Sequence, residues 1–97
     1  MHVISKKRLQ EFWTKYPPSK EPLLFWFNIA RRAAWQNISE VRQNFPHADA
    51  VEQCTVFNIK GNDYRLISHI DYRFQQVYVR FVLTHAEYDR EVWKGDC

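Results

Sequence analysis

Arg65 and Arg80 stand in runs rich in Tyr, Ile, Val and Phe, and the second run leads directly into Thr84-His85-Ala86-Glu87-Tyr88-Asp89. Guanidinium, imidazole and phenol groups close together suit chemistry on a phosphodiester. In metal-independent cleavage of RNA the ribose 2′-OH attacks the adjacent phosphorus. That step needs a base for the hydroxyl proton, an acid for the departing 5′ oxygen and cations for the anionic transition state. Arg65 and Arg80 would supply the charge. His85 is the leading candidate for proton transfer, with Tyr88 or Lys60 assisting, and the residues alone leave base and acid unassigned. Tyr78 and Tyr88 offer faces on which an unpaired base can stack. Asn58 and His69 share the strand positions of these residues and are candidates for contact with RNA. No carboxylate cluster, Gly-rich phosphate loop, Gly-x-Ser-x-Gly or reactive-cysteine motif occurs, so neither a metal nor a cofactor is expected.

Such residues act together only if the elements beneath them bring them to one face. From Cys54 onward the hydrophobic period is 2, and Lys60-Gly61-Asn62-Asp63 supplies a turn with glycine available for positive φ. Two further runs, 63–72 and 76–84, join through Tyr72-Arg73-Phe74-Gln75 if Asp71 pairs with Gln76. With Ile59 opposite Tyr64, one face collects Phe57, Ile59, Tyr64, Leu66, Ile70, Val77, Val79, Phe81 and Leu83, and helices must cover it. The other face collects Val56, Asn58, Arg65, Ile67, His69, Tyr78, Arg80, Val82 and Thr84 and is expected to be uncovered. Arg65 then lies opposite Val82 and diagonal to Arg80, roughly 7–8 Å away, within reach of one phosphodiester. The same pattern fits an ion-pair network in which Asp71 or Glu87 neutralises both arginines. Thr84 and Glu87 form a capping box for a terminal helical turn. His85 opens that turn, and Tyr88 and Asp89 follow it at i+3 and i+4.

The helices come from residues 1–46, after an opening His2-Val3-Ile4 that reads as an edge strand. Leu9, Phe12, Trp13 and Tyr16 make one apolar stripe behind an expected Ser5 cap, and Pro17-Pro18 ends it. Ser19 is a second expected cap, before a helix whose face is Leu23, Trp26, Phe27, Ala30 and Ala34. Phe25 and Ile29 lie off that stripe, which fits either burial on two sides or a groove for a partner. A short third helix is expected over 39–44, and 47–53 read as loop. The architecture is therefore α+β: an N-terminal helical hairpin packed on a twisted antiparallel sheet, with a short C-terminal helical turn. The 97 residues suit one domain, 1–97, and an apolar fraction of 45% argues for a packed core. A net charge of +3 fits an anionic partner. Cys54 and Cys97 cannot make a disulfide framework and read as ordinary cytosolic thiols. No stretch is long and apolar enough for a membrane span, so a cytoplasmic location and no membrane partner are expected.

The sequence resembles the HigB-type toxins of bacterial type II toxin–antitoxin systems. The resemblance rests on Val-Phe-Asn-Ile-Lys-Gly-Asn (56–62), Tyr-Arg-Leu-Ile (64–67), Ile-Asp-Tyr (70–72) and Val-Tyr-Val-Arg-Phe-Val-Leu-Thr-His-Ala-Glu-Tyr-Asp (77–89), with Lys-Glu-Pro-Leu (20–23) upstream. It covers nearly all of residues 2–93, and the Thr-His-x-x-Tyr-Asp ending is its most specific part. It implies a RelE-like domain and a small messenger-RNA endoribonuclease that often cuts transcripts on the translating ribosome. It also implies an antitoxin of the HigA type, commonly a helix-turn-helix protein. The positions matching that superfamily's catalytic arginines and C-terminal basic or aromatic residues are Arg65, Arg80, His85 and Tyr88, with Lys60 beside them. Against this stand a non-catalytic RNA- or ribosome-binding module and a protein-interaction domain whose arginines grip an acidic peptide.

Overall fold

The computed structural model describes residues 1–97, the side chain of Asp96 excepted. Strand β1 (His2–Ile4) leads into α1 (Lys6–Lys15), a 3₁₀ turn over Pro17–Ser19, α2 (Lys20–Arg32) and α3 (Ile38–Asn44). Then come β2 (Asp49–Val51), β3 (Cys54–Ile59), β4 (Tyr64–Asp71), β5 (Gln76–Thr84) and α4 (His85–Asp89), and a 3₁₀ segment over Val92–Asp96 closes the chain. The strands form one sheet in the order β1-β5-β4-β3-β2. Strands β2 to β5 are antiparallel, whereas β1 adds to β5 in parallel, so the sheet is mixed and not antiparallel throughout. The expected loop at 47–53 likewise contains a strand, β2, because Asp49, Ala50 and Val51 pair with Val56, Thr55 and Cys54.

Helices α1 to α3 cover one face of the sheet. Their Leu9, Phe12, Leu23, Trp26, Ala30 and Val41 pack with Phe57, Ile59, Leu66, Ile70, Val77 and Val79, and all of these are buried. Phe25 falls outside this packing and is 65% exposed, while Ile29 touches the core. Neither expected serine caps its helix. Ser5 adopts a left-handed conformation at φ 75° and makes no side-chain cap, and the buried Ser19 hydroxyl donates instead to the Tyr16 carbonyl. Asn37 does cap α3, accepting from the Glu40 N–H at 3.0 Å. The Thr84–Glu87 capping box forms as the sequence implies, with both reciprocal bonds present.

Both strand registers hold at the ends from which they were derived: Ile59 pairs with Tyr64 and Asp71 with Gln76. Between Ile67 and Ser68 the second ladder slips, because Ser68 pairs with Val79 while Ile67 pairs with Phe81. Arg80 is the extra residue of a β-bulge. Past it the alternation is inverted: Arg65 lies opposite Leu83, not Val82. Phe81 and Leu83 therefore leave the helix side, and Val82 turns onto it. Two consecutive residues facing one partner shift every later side chain by one position.

The face opposite the helices is covered in its middle. After α4 the chain passes through Glu91, at φ 59°, and runs back across the sheet. It buries Trp93 against Cys54, Val56, Ile67, Phe81, Leu83 and Tyr88. Cys97 ends that path in a disulfide with Cys54, their Cα atoms 5.3 Å apart. The two cysteines are thus partners and not independent thiols, since the returning segment closes the 43-residue separation between them.

Candidate functional site

Arg65 is 8% exposed, a rare condition for a guanidinium and one that demands partners. Its Nη1 donates to the carbonyls of Asn62 at 2.9 Å and Tyr64 at 3.2 Å, and its Nη2 donates to Asn62 Oδ1 at 3.0 Å. Tyr88 covers it, with Arg65 Cζ 5.1 Å from the ring centroid. Trp93 stacks on the Tyr88 ring at 5.1 Å and 15°, and donates its indole N–H to the Tyr88 carbonyl. Guanidinium, phenol and indole thus form one ordered stack. The positive φ of Lys60 and Gly61 tightens the turn that offers the Asn62 carbonyl and side chain to Arg65.

Around this stack the hairpin turn and α4 meet. His85 N–H donates to the Asp63 carbonyl at 3.0 Å, which fixes α4 against the turn. An open depression lies there, lined by Asn62, Asp63, Tyr64, Thr84, His85 and Ala86. The His85 imidazole is exposed and sits 3.2 Å from Asp89, an ion pair when the ring is protonated. Lys60 Nζ reaches Asp63 at 3.2 Å at the rim. A second depression, lined by His47, Asn58, Gly61 and Asn62, adjoins the first through Asn62. Asn58 reaches it because it is the direct cross-strand partner of Arg65. The Glu87 carboxyl is held below its ordinary value, first by its bond from the Thr84 backbone N–H, so this capping group stays ionised.

Arg80, His69 and Tyr78 form a separate group toward the other end of the face. His69 and Tyr78 are cross-strand partners with ring centroids 6.2 Å apart. Arg80 Cζ lies 5.7 Å from the Tyr78 ring, and the Arg80 carbonyl accepts from Arg8 Nη1 at 2.8 Å. The expected convergence of Arg65 and Arg80 on one phosphodiester is not what the bulge produces. Arg65 turns to Asn62 and Tyr88, Arg80 turns to Tyr78, and the apolar patch under Trp93 lies between. The alternative ion-pair network does not form either. Asp71 accepts from Phe74 N–H, Glu87 caps α4, and neither arginine pairs with a carboxylate among the described residues.

Lys60, Asn58, Arg65, His85 and Tyr88 therefore gather at the turn end, while His69, Tyr78 and Arg80 gather elsewhere. Asn62, His47 and Trp93 join the first group without having been singled out from sequence. Asn62 carried a local signal, standing three residues before a strand arginine in a tight turn. Trp93 carried none, because its position follows from a chain reversal at a non-glycine left-handed residue. No group of three or more His, Cys, Asp or Glu side chains able to hold a metal occurs among the described residues.

A helical layer on one side of a small sheet, with cationic and aromatic side chains on the other, is the build of a RelE-like toxin domain. The family model for the HigB toxin, the RelE-like toxic component of a toxin–antitoxin system, matches residues 19–91. The mRNA interferase toxin HigB of Escherichia coli K12 is 32% identical over 92 residues, covering 92% of this chain and 88% of that protein. The mRNA interferase HigB of Shigella flexneri matches to the same extent. That of Escherichia coli O6:H1 is 29% identical over 93 residues, covering 93% of this chain and 90% of its own. The chain belongs to the HigB toxin family.

Proposed function

We propose that this toxin is an mRNA endoribonuclease that cleaves by metal-independent 2′-OH attack and so inhibits translation and growth. The observation that carries the reading is the gathering of Arg65, His85, Lys60 and Tyr88 at one end of the sheet face, in a family whose relatives are named mRNA interferases. Arg65, held by Asn62 and Tyr88, presents its remaining N–H donors to the developing phosphorane charge. His85 transfers the proton, and Lys60 and Tyr88 assist at the rim. Asn58 contacts the RNA beside Arg65. Arg80, with Tyr78 and His69, holds an adjoining nucleotide by charge and stacking; the bulge favours this role over a shared phosphate. The substrate is mRNA on the translating ribosome in the cytoplasm; among the described residues no helix is long and apolar enough to cross a membrane. A toxin of this family has an antitoxin partner, which we take to be a HigA-type helix-turn-helix protein.

Incubation with translating ribosomes and mapping of new 5′ ends tests the reading. Wild-type protein should generate ends, and Arg65→Ala should lose about 10²-fold or more in rate. The separation of Arg80 from Arg65 favours one other reading, a non-catalytic RNA- or ribosome-binding module. Ribosome occupancy without new ends would select it.

A further inference from the structure

Tyr88 is the only side chain stacked on the Arg65 guanidinium among the described residues, yet its own element holds it poorly. Helix α4 has five residues, too short to be stable by itself. The Tyr88 ring is fixed by Trp93, which stacks on it, donates to its carbonyl, and is itself 2% exposed on the apolar patch of Cys54, Val56, Ile67, Phe81 and Leu83. Trp93 in turn belongs to a five-residue 3₁₀ segment whose far end is tied to β3 by the Cys54–Cys97 disulfide. Both Trp93 and Cys97 lie past residues 19–91, where the family match falls.

We propose that Trp93 is a positioning residue for Tyr88 and Arg65, and that the Cys54–Cys97 bond locks it, so that the rate of RNA cleavage depends on thiol redox state. The inference rests on the reading of Arg65 and Tyr88 as part of an RNA-cleaving site. In a reducing cytoplasm a disulfide is ordinarily transient and responsive, not a permanent staple. A dithiol breaks the Cys54–Cys97 bond by exchange: the protein disulfide gains two electrons and two protons to become two thiols, and the dithiol becomes a disulfide. Hydrogen peroxide reverses the step, the two thiols giving up two electrons and two protons as the peroxide is reduced to two waters. With the bond open, the last residues are held to the sheet face only through Trp93, by its burial and its bond to the Tyr88 carbonyl. The indole then leaves Tyr88 part of the time, and the guanidinium loses its lid.

The test compares oxidised and dithiol-reduced protein on translating ribosomes, with thiol titration verifying each state. Oxidised wild-type protein should cleave with a kcat about tenfold or more above the reduced form, at nearly unchanged KM, the signature of lost positioning and not of lost binding. Cys97→Ser should match the reduced rate and ignore the dithiol. Trp93→Ala should be slow in both states, whereas Trp93→Phe, which keeps a ring beneath Tyr88, should recover most of the rate and the redox response. Because Trp93→Ala risks unfolding, Cys97→Ser and the reduced wild type carry the decision. Equal rates in both states would overturn the proposal. So would a faster reduced form, which would make the segment a cover over the site. If neither the oxidised nor the reduced protein cleaves RNA on ribosomes, the ribonuclease reading itself fails and takes this inference with it.

Discussion

Asn62 is the residue through which the structure makes its sharpest claim about Arg65. Of the guanidinium's three hydrogen bonds, two go to backbone carbonyls that no side-chain substitution removes, and one goes to Asn62 Oδ1 at 3.0 Å. Asn62→Ala deletes that one alone. A bond to a charged donor contributes about 1.5–3 kcal/mol. Here the lower end applies, since Asn62 is exposed and water can replace the lost oxygen. If the bond serves to aim Arg65 at the transition state, a loss of about 1.4 kcal/mol appears as a tenfold fall in kcat with KM unchanged. Arg65→Lys keeps the charge but replaces a planar fork with a point donor, so it should be worse, about 10²-fold down. Single-turnover cleavage on ribosomes gives the rates, and urea denaturation separates them from stability. If Asn62→Ala cleaves at the wild-type rate while Arg65→Lys does not, the fork matters but its link to the turn does not. If both cleave normally, Arg65 is not in the chemistry.

Arg80→Ala should weaken RNA binding and flatten its salt dependence while leaving the single-turnover rate at saturation close to wild type; a rate lost at saturation would return Arg80 to the transition state. Trp26 Nε1 is buried without a partner, whereas Trp35 Nε1 donates to Asn44 Oδ1 at 2.8 Å. Trp35→Phe should therefore cost about 1 kcal/mol more than Trp26→Phe by urea denaturation, and the reverse order would mean the Trp26 donor is satisfied. Glu87 has a depressed folded-state pKa, so its capping contribution is present above its ordinary value of 4.5 and is lost as pH falls through the lower folded value. Glu87→Gln should flatten that part of the acid limb in pH-dependent unfolding, and an unchanged profile would exclude it.

Residue patterns alone located the helices, the three long strands and the two hairpins that join those strands, but neither β2 nor the partner of either edge strand. The stripe of Leu9 and Phe12, the period-2 runs after Cys54, the Lys60–Asp63 turn and the Thr84–Glu87 box are local patterns whose physical cause lies within a few residues. The chemically suggestive residues were legible for the same reason: their types are visible without a fold. What the sequence could not supply was the bulge at Arg80. A ladder with one extra residue differs from a regular one only in the balance of packing on both faces, and strict alternation through residues 76–84 looked equally apolar. That single slip moved Phe81 and Leu83 to the second face, turned Val82 to the first and parted Arg80 from Arg65. Nor did any local signal announce that the chain after Asp89 would reverse across the sheet, bury Trp93 and join Cys97 to Cys54. Contacts between residues 43 apart depend on the whole surface they bury and on the closing of the chain between them, and only the tertiary structure decides those terms.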